Sequence, residues 1–152
     1  MMIPYTSTNL TKLNIPNIQE TLLKEGSIRE APPTVHQFGK GVYIREITMP
    51  TASIILGAVH TTKHYNIISK GSCILLDEEG SSTYIEAPCT FESQTGVQKL
   101  LYIVDECVWS TIHVTEETDV SKLEDELFVD FKLITNKRKE FTKCQDLLQE
   151  QP

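Results

Sequence analysis

The chain has 152 residues, 39% of them hydrophobic, which is the size of one domain and enough to bury a core without a second one. With 14 Lys and Arg against 21 Asp and Glu the formal charge is −7, so phosphate backbones and anionic bilayers are repelled at long range, and nucleic acid and membrane surfaces are set aside as partners. No apolar run approaches the roughly 20 residues of a membrane span, and Met1–Asn9 lacks a basic region followed by a hydrophobic one, so a chain that is not exported by a signal peptide is expected.

Asn14 to Gly26 carries Ile15, Ile18 and Leu22 at helical spacing, with Pro16 in the first turn and Gly26 where a left-handed terminal residue belongs; the pattern predicts a short helix. Ala31-Pro32-Pro33 then interrupts regular structure, which makes residues 1–35 an N-terminal arm. From Val42 the texture changes to short runs rich in β-branched and aromatic residues: VYIREITM, SIILGAVH, YNIISK, SCILLD, STYIE, VQKLLYIV and CVWSTIHV. Met49-Pro50, Asp77 to Gly80, Ala87-Pro88, Thr95-Gly96 and Asp105-Glu106 punctuate them as turns. Strands this short and this regularly spaced, with no helices between them, predict an antiparallel β-barrel or jelly roll over residues 36–134.

Beyond His113 the period becomes helical. Val120, Leu123 and Leu127 recur at i, i+3 and i+7, and Ser121-x-x-Glu124 resembles a capping box set slightly inside the helix. Phe128 to Ile134 reads as one more strand, and residues 135–152 form a C-terminal tail whose helix, Asn136 to Gln149, gathers Phe141, Cys144, Leu147 and Leu148 on one face. That face needs a partner, which predicts a homo-oligomer assembled through the chain ends. Acidic residues crowd Glu116 to Asp130, and Lys137, Arg138, Lys139 and Lys143 follow; the plain reading is a solvated face and the sharper one a contact between subunits. Cys73, Cys89, Cys107 and Cys144 contain no C-x-x-C pair, so reduced thiols acting as small hydrophobes are expected rather than a structural zinc site.

By period 2, Ala58, His60 and His64 share one face of a strand, and His113 alternates with Thr111 and Trp109 on another. His36 reads as a hydrogen-bonding histidine at the start of the β region. Arg45 and Glu46 are adjacent and must face opposite sides, so Arg45 is placed with Tyr43 and Trp109 as candidate ligand-pocket residues. Tyr84 and Tyr102 read as core or rim aromatics.

The blocks His36-Gln-Phe38-Gly-Lys-Gly41-Val-Tyr43-Ile-Arg45-Glu46, His60-Thr-Thr-Lys-His64, Ile67-Ile-Ser-Lys-Gly71, Ala87-Pro88, Gly96, Trp109, His113 and Thr115-Glu-Glu-Thr-Asp119 occur in one order. On them the segment from His36 to about Val129, about three-fifths of the chain, resembles the cupin superfamily and, more narrowly, small cupin-like proteins of tailed bacteriophages and prophages. The metal motif of that superfamily, H-x-H-x3-E-x6-G followed by P-x-G-x2-H, is matched in part. Ala58 stands at its first His, His60 at the second, His64 at the Glu and Gly71 at the Gly, whereas Pro88 is kept, Thr90 replaces the later Gly and Ser93 the later His. The ligand set the resemblance implies is therefore His60 and His64, with His113 as a third imidazole; three such ligands suit a divalent zinc, nickel, iron or copper ion. The competing reading is a polar pocket without metal, since histidines form hydrogen bonds far more often than metal bonds.

Three functions follow. The preferred one is a phage-encoded structural or accessory protein that assembles through its terminal segments, non-catalytic, acting in the host cytoplasm or virion beside other virion proteins. The others are a metal-dependent oxygenase or isomerase using the barrel histidines, and a binder of a small ligand in the host cell.

Overall fold

The structure is a computed structural model that describes residues 31–77 and 79–129, together with Ile18. The predicted helix from Asn14 to Gly26, apart from Ile18, the strand beyond Val129 and the tail helix lie outside the described residues. Seven strands and one helix follow in order: β1 (Thr34–Gly39), β2 (Val42–Met49), β3 (Ile54–Leu56), β4 (His64–Leu76), β5 (Ser82–Glu86), β6 (Cys89–Ser93), β7 (Leu100–Val114) and α1 (Val120–Leu127). Every strand pairing is antiparallel. Among the described residues no helix is long and apolar enough to cross a membrane.

Two long strands organise the sheet. β4 and β7 run side by side, and each changes its other neighbour part-way along: β4 pairs with β6 through His64–Ile68 and with β5 through Ser72–Leu76, while β7 pairs with β3 at its start and β2 at its end. The runs predicted as four strands, YNIISK with SCILLD and VQKLLYIV with CVWSTIHV, are thus two bent ones. The bend falls at Gly71, where the register shifts between Ile68 and Cys73. Gly71 has φ +84°, and a Cβ there would lie 2.1 Å from the Glu106 carbonyl oxygen, so only glycine lets the strands touch at the fold line. The sequence pattern divides the runs at both places, with Asp105-Glu106 read as a turn, because Gly and Asp-Glu weaken strand propensity; the pairing across the two strands carries the backbone through both.

Period 2 decides which side chains enter. On β7 the alternating buried set is Leu101, Ile103, Cys107, Trp109, Thr111 and His113, with Ser110 on the other face also buried; on β4 it includes His64, Asn66, Ile68 and Cys73. Met49, Ile68, Cys73, Leu101, Ile103, Cys107 and Trp109 form the main core, and Ile47, Ile55, Leu75, Ile85 and Phe91 pack against it. Tyr43, Leu123, Leu127 and Phe128 form a second cluster, through which α1 covers one end. The helix cap is Asp119, whose carboxylate accepts from the Lys122 N–H, so the start of the helix lies at the residue before Val120 and Ser121 is already inside it. Of the two places the sequence allowed for Tyr84 and Tyr102, core or rim, the structure gives the rim: they are 57% and 41% exposed.

The first strand begins at Thr34, inside the segment expected as an arm. Its pairing with β2, Thr34 opposite Ile47 through Gly39 opposite Val42, outweighs the weak strand signal of THQ-type residues on an exposed edge.

Candidate functional site

A cavity of about 90 Å³ opens between the two clusters, and its wall includes Arg45, Ile47, Met49, Ile55, Ala58, His60, His64, Asn66, Lys99, Leu101, Trp109, Thr111 and Phe128. That is far below the roughly 300–1,000 Å³ of sites for drug-sized ligands. Strand parity puts Arg45 on the wall with Ile47 and Met49 and leaves Glu46 on the other face, where its carboxylate accepts from the Ser110 hydroxyl at 3.2 Å. Phe128 reaches the wall because the chain leaving α1 bridges back to the His60 segment: Thr61 N–H donates to the Leu127 carbonyl and Val129 N–H to the Val59 carbonyl, both at 2.9 Å.

The three candidate imidazoles come together. The His60 and His64 ring centres are 3.9 Å apart, and the His113 ring lies 5.5 Å from the first and 5.1 Å from the second. Ala58, His60 and His64 do not share a strand, however; His60 is an isolated bridge residue opposite Phe128 and His64 opens β4. They meet because the loop between them folds over the barrel mouth. His113 is 2% exposed and stands behind the wall, its ring against Tyr43. Tyr43, expected in the pocket, is in the second core cluster instead and hydrogen-bonds His36 Nδ1 at 2.7 Å through its hydroxyl. Its place opposite His113 on β7 turns it toward α1, which parity alone could not reveal. Of the residues assigned to the pocket from sequence, Arg45 and Trp109 line it.

Hydrogen bonding fixes the tautomers. His64 Nδ1 faces the Thr62 carbonyl at 3.1 Å; a carbonyl only accepts, so Nδ1 carries the proton and Nε2 is a bare acceptor. The Thr111 hydroxyl donates to the Arg45 carbonyl and so receives from His113 Nε2, at 3.3 Å, leaving His113 Nδ1 bare. Both bare nitrogens, His64 Nε2 and His113 Nδ1, are buried without a hydrogen-bond partner. Burial, reinforced by the neighbouring imidazoles, Lys99 and Arg45, pushes His60 down to about 2. Burial likewise takes His113, flanked by His64 and Arg45, down to about 4, and it lowers His64 against the opposing pull of the Thr62 carbonyl. All three are neutral at pH 7, and conjugate acids this strong make poor general bases.

Beside them runs a chain of polar contacts that the sequence did not single out. Trp109 Nε1 donates to Asn66 Oδ1 at 2.9 Å, Asn66 Nδ2 donates to the Ser93 hydroxyl at 2.8 Å, and Lys99 Nζ donates to the same hydroxyl. Asn66 and Ser93 are 1% and 4% exposed, so the chain is a fixed feature of the interior. Lys99 is held by the backbone around Gly57, whose N–H donates to the Lys99 carbonyl. Burial lowers its pKa, and among the described residues no carboxylate pairs with it. The signal available in sequence was the polar alternation of Asn66 within an apolar strand and of Lys99 before one; nothing local says that the two converge.

No protein-family model and no curated protein sequence matches the chain. Solved structures do. Ectoine synthase from P. lautus matches over 67% of this chain and 78% of its own at 9% identity and a TM-score of 0.53. A cupin-2 domain containing protein from Shewanella frigidimarina matches over 68% and 96% at 11% identity and TM-score 0.47. An RmlC-like cupin family protein with a double-stranded β-helix fold from Methanocaldococcus jannaschii matches over 57% and 84% at 16% identity and TM-score 0.44. The fold is cupin-like. At these identities the likeness concerns the fold.

The cupin frame implies a metal, and the donor set does not fit one. Among the described residues no group of three or more His, Cys, Asp or Glu side chains is arranged to hold a metal ion, close as the rings are. Among the described residues His113 does not line the wall, and the wall carries Arg45 and Lys99 but no Asp or Glu to ligate a dication. At Ser93, where the motif has its last ligand, the Lys99 ammonium is seated instead.

Proposed function

We propose that the barrel cavity binds a small organic molecule through hydrogen bonds and charge, without a metal. The observation that carries this is His64 on the cavity wall, a neutral ring whose Nε2 is buried without a hydrogen-bond partner among the described residues; a bound O–H or N–H that reached it on a small shift of the ring would offset that desolvation. The Trp109, Asn66, Ser93 and Lys99 chain supports it by holding polar groups in place before a ligand arrives, and the apolar wall of Ile47, Met49, Ile55 and Leu101 supplies contact for a carbon skeleton. Binding fits these imidazoles better than proton transfer does, given their lowered basicity. The test is a melting-temperature screen of the full chain against small metabolites, with elemental analysis of the same sample. Ligands that raise the melting temperature and lose that effect in His64→Leu support the reading; stoichiometric metal released by chelation would overturn it.

An accessory role in a phage particle is a second proposal, supported by the sequence resemblance and by the helical spacing of Phe141, Cys144, Leu147 and Leu148 in the sequence of the tail. It concerns the chain ends, and the barrel cavity is compatible with it.

A further inference from the structure

We infer that the outward face of β3, β7, β4 and β5 is the seat of a second copy of this chain, docked sheet on sheet about a twofold axis. Register defines the face. Ile54, Tyr102, Ile74 and Tyr84 stand directly opposite one another across the four strands, and Leu56, Leu100 and Leu76 form the next row, which ends at Ser82. Residues directly opposite share one side of the sheet. The residues that alternate with them, among them Ile55, Cys73, Leu75, Ile85 and Leu101, make the core, so both rows point outward. Ile55 and Leu101 also line the cavity, so this face looks away from it and is independent of the pocket reading. Ile54, Tyr84 and Tyr102 are 66%, 57% and 41% exposed, and Leu56, Ile74, Leu76 and Leu100 are half-buried.

Area and charge select the partner. The seven apolar side chains present on the order of 500 Å² per copy, within the span of about 300–600 Å² for the largest apolar patch of a monomer. Two copies face to face bury roughly 1,000 Å², the size at which specific association begins. Each copy carries −7, so like chains repel wherever their acids meet, yet neither row holds a charged side chain. A foreign partner is selected largely by complementary charge, which these rows do not offer; a second copy brings the same uncharged pleat. Charge also sets the orientation. The next row carries acids: Ser72 lies opposite Glu86 and Asp105, and its hydroxyl donates to the Asp105 carboxylate at 3.0 Å. A twofold axis running across the strands lays one apolar row over the other and sends the two acidic rows to opposite ends, whereas an axis along the strands would stack acid on acid. The sheets then pack with their strands aligned and their apolar side chains interdigitated, about 10 Å apart.

The experiment is sedimentation of the full chain over a concentration series, where self-association with a dissociation constant on the order of micromolar is expected for a contact of this size. Ile54→Glu and Tyr102→Glu bring like charges together across the axis and should each weaken association about tenfold or more. Val114→Glu, the same change at a 91% exposed apolar position outside the face, should leave it unchanged. Circular dichroism checks that each variant folds, and Tyr84→Ser, which removes apolar area without adding charge, should also weaken association if a glutamate disturbs the sheet. A short bismaleimide added to the Tyr102→Cys chain reads the occupant. The expected product is a covalent dimer linked between the two substituted positions. A link from position 102 to Cys144 would overturn the inference, because the tail and not a second barrel face would then occupy the seat. So would a full chain that stays monomeric throughout the series, or association equally strong in Ile54→Glu, Tyr102→Glu and the unsubstituted chain.

Discussion

His60, half-buried, and His113, buried, are held as neutral bases, and this has a consequence for stability. In the unfolded chain a histidine titrates near 6.5, whereas in the fold burial holds His113 down to about 4 and His60 to about 2. Below pH 6.5 the unfolded chain therefore binds protons that the folded one refuses, and stability falls as pH falls, by up to about 1.4 kcal/mol per pH unit for each histidine. The contribution is complete above pH 6.5 and is lost between there and the folded values. Urea denaturation at pH 7 and pH 5 should show a markedly lower midpoint at pH 5, with a shallower difference in His113→Gln. Equal midpoints at the two pH values would contradict the burial of neutral imidazoles.

At the level of the elements, the fold line in β4 and the cap of α1 matter most. Gly71→Ala forces a Cβ into the Glu106 backbone at positive φ, so a loss of about 3 kcal/mol or more is expected from equilibrium unfolding. A neutral result would mean that the strands can part at the bend. Asp119→Ala removes the acceptor of the Lys122 N–H and should cost about 1 kcal/mol. Leu123, fully buried against Tyr43 and Leu127, should cost about 2–5 kcal/mol when cut to Ala. Because α1 carries Phe128 to the cavity wall, Leu123→Ala should also reduce the ligand-induced rise in melting temperature, while Asp119→Ala, at the far end of the helix, should leave it nearly unchanged.

For the whole molecule, the proposal is self-association through the tail. In the sequence Phe141, Cys144, Leu147 and Leu148 recur at helical spacing, and a helix there would present an apolar face that needs a partner surface, while the described barrel packs a core of its own. Removing residues 136–152 should lower the mass seen by light scattering while the β signal in circular dichroism persists. A full chain that is monomeric at high concentration, and unchanged by truncation, would remove the tail as an interface.

The sequence by itself determined the β texture, the antiparallel pairing and the shared parity of Arg45 and Trp109 with the cavity. Alternation on a pleated strand is a local property, and the β-branched runs and turn residues write it directly into the chain. It also showed that the cupin metal motif is matched only in part, through Ala58 and Ser93. The tertiary structure decided the rest. Gly71 and Asp105-Glu106 became bends within long strands because β4 and β7 support each other across them. Tyr43 turned to the helix cluster because α1 packs there. Lys99 met Ser93, Asn66 and Trp109 although three separate strands and a loop supply them. Such a site depends on pairing register and on what fills the neighbouring space, and neither is a property of any one segment of the sequence.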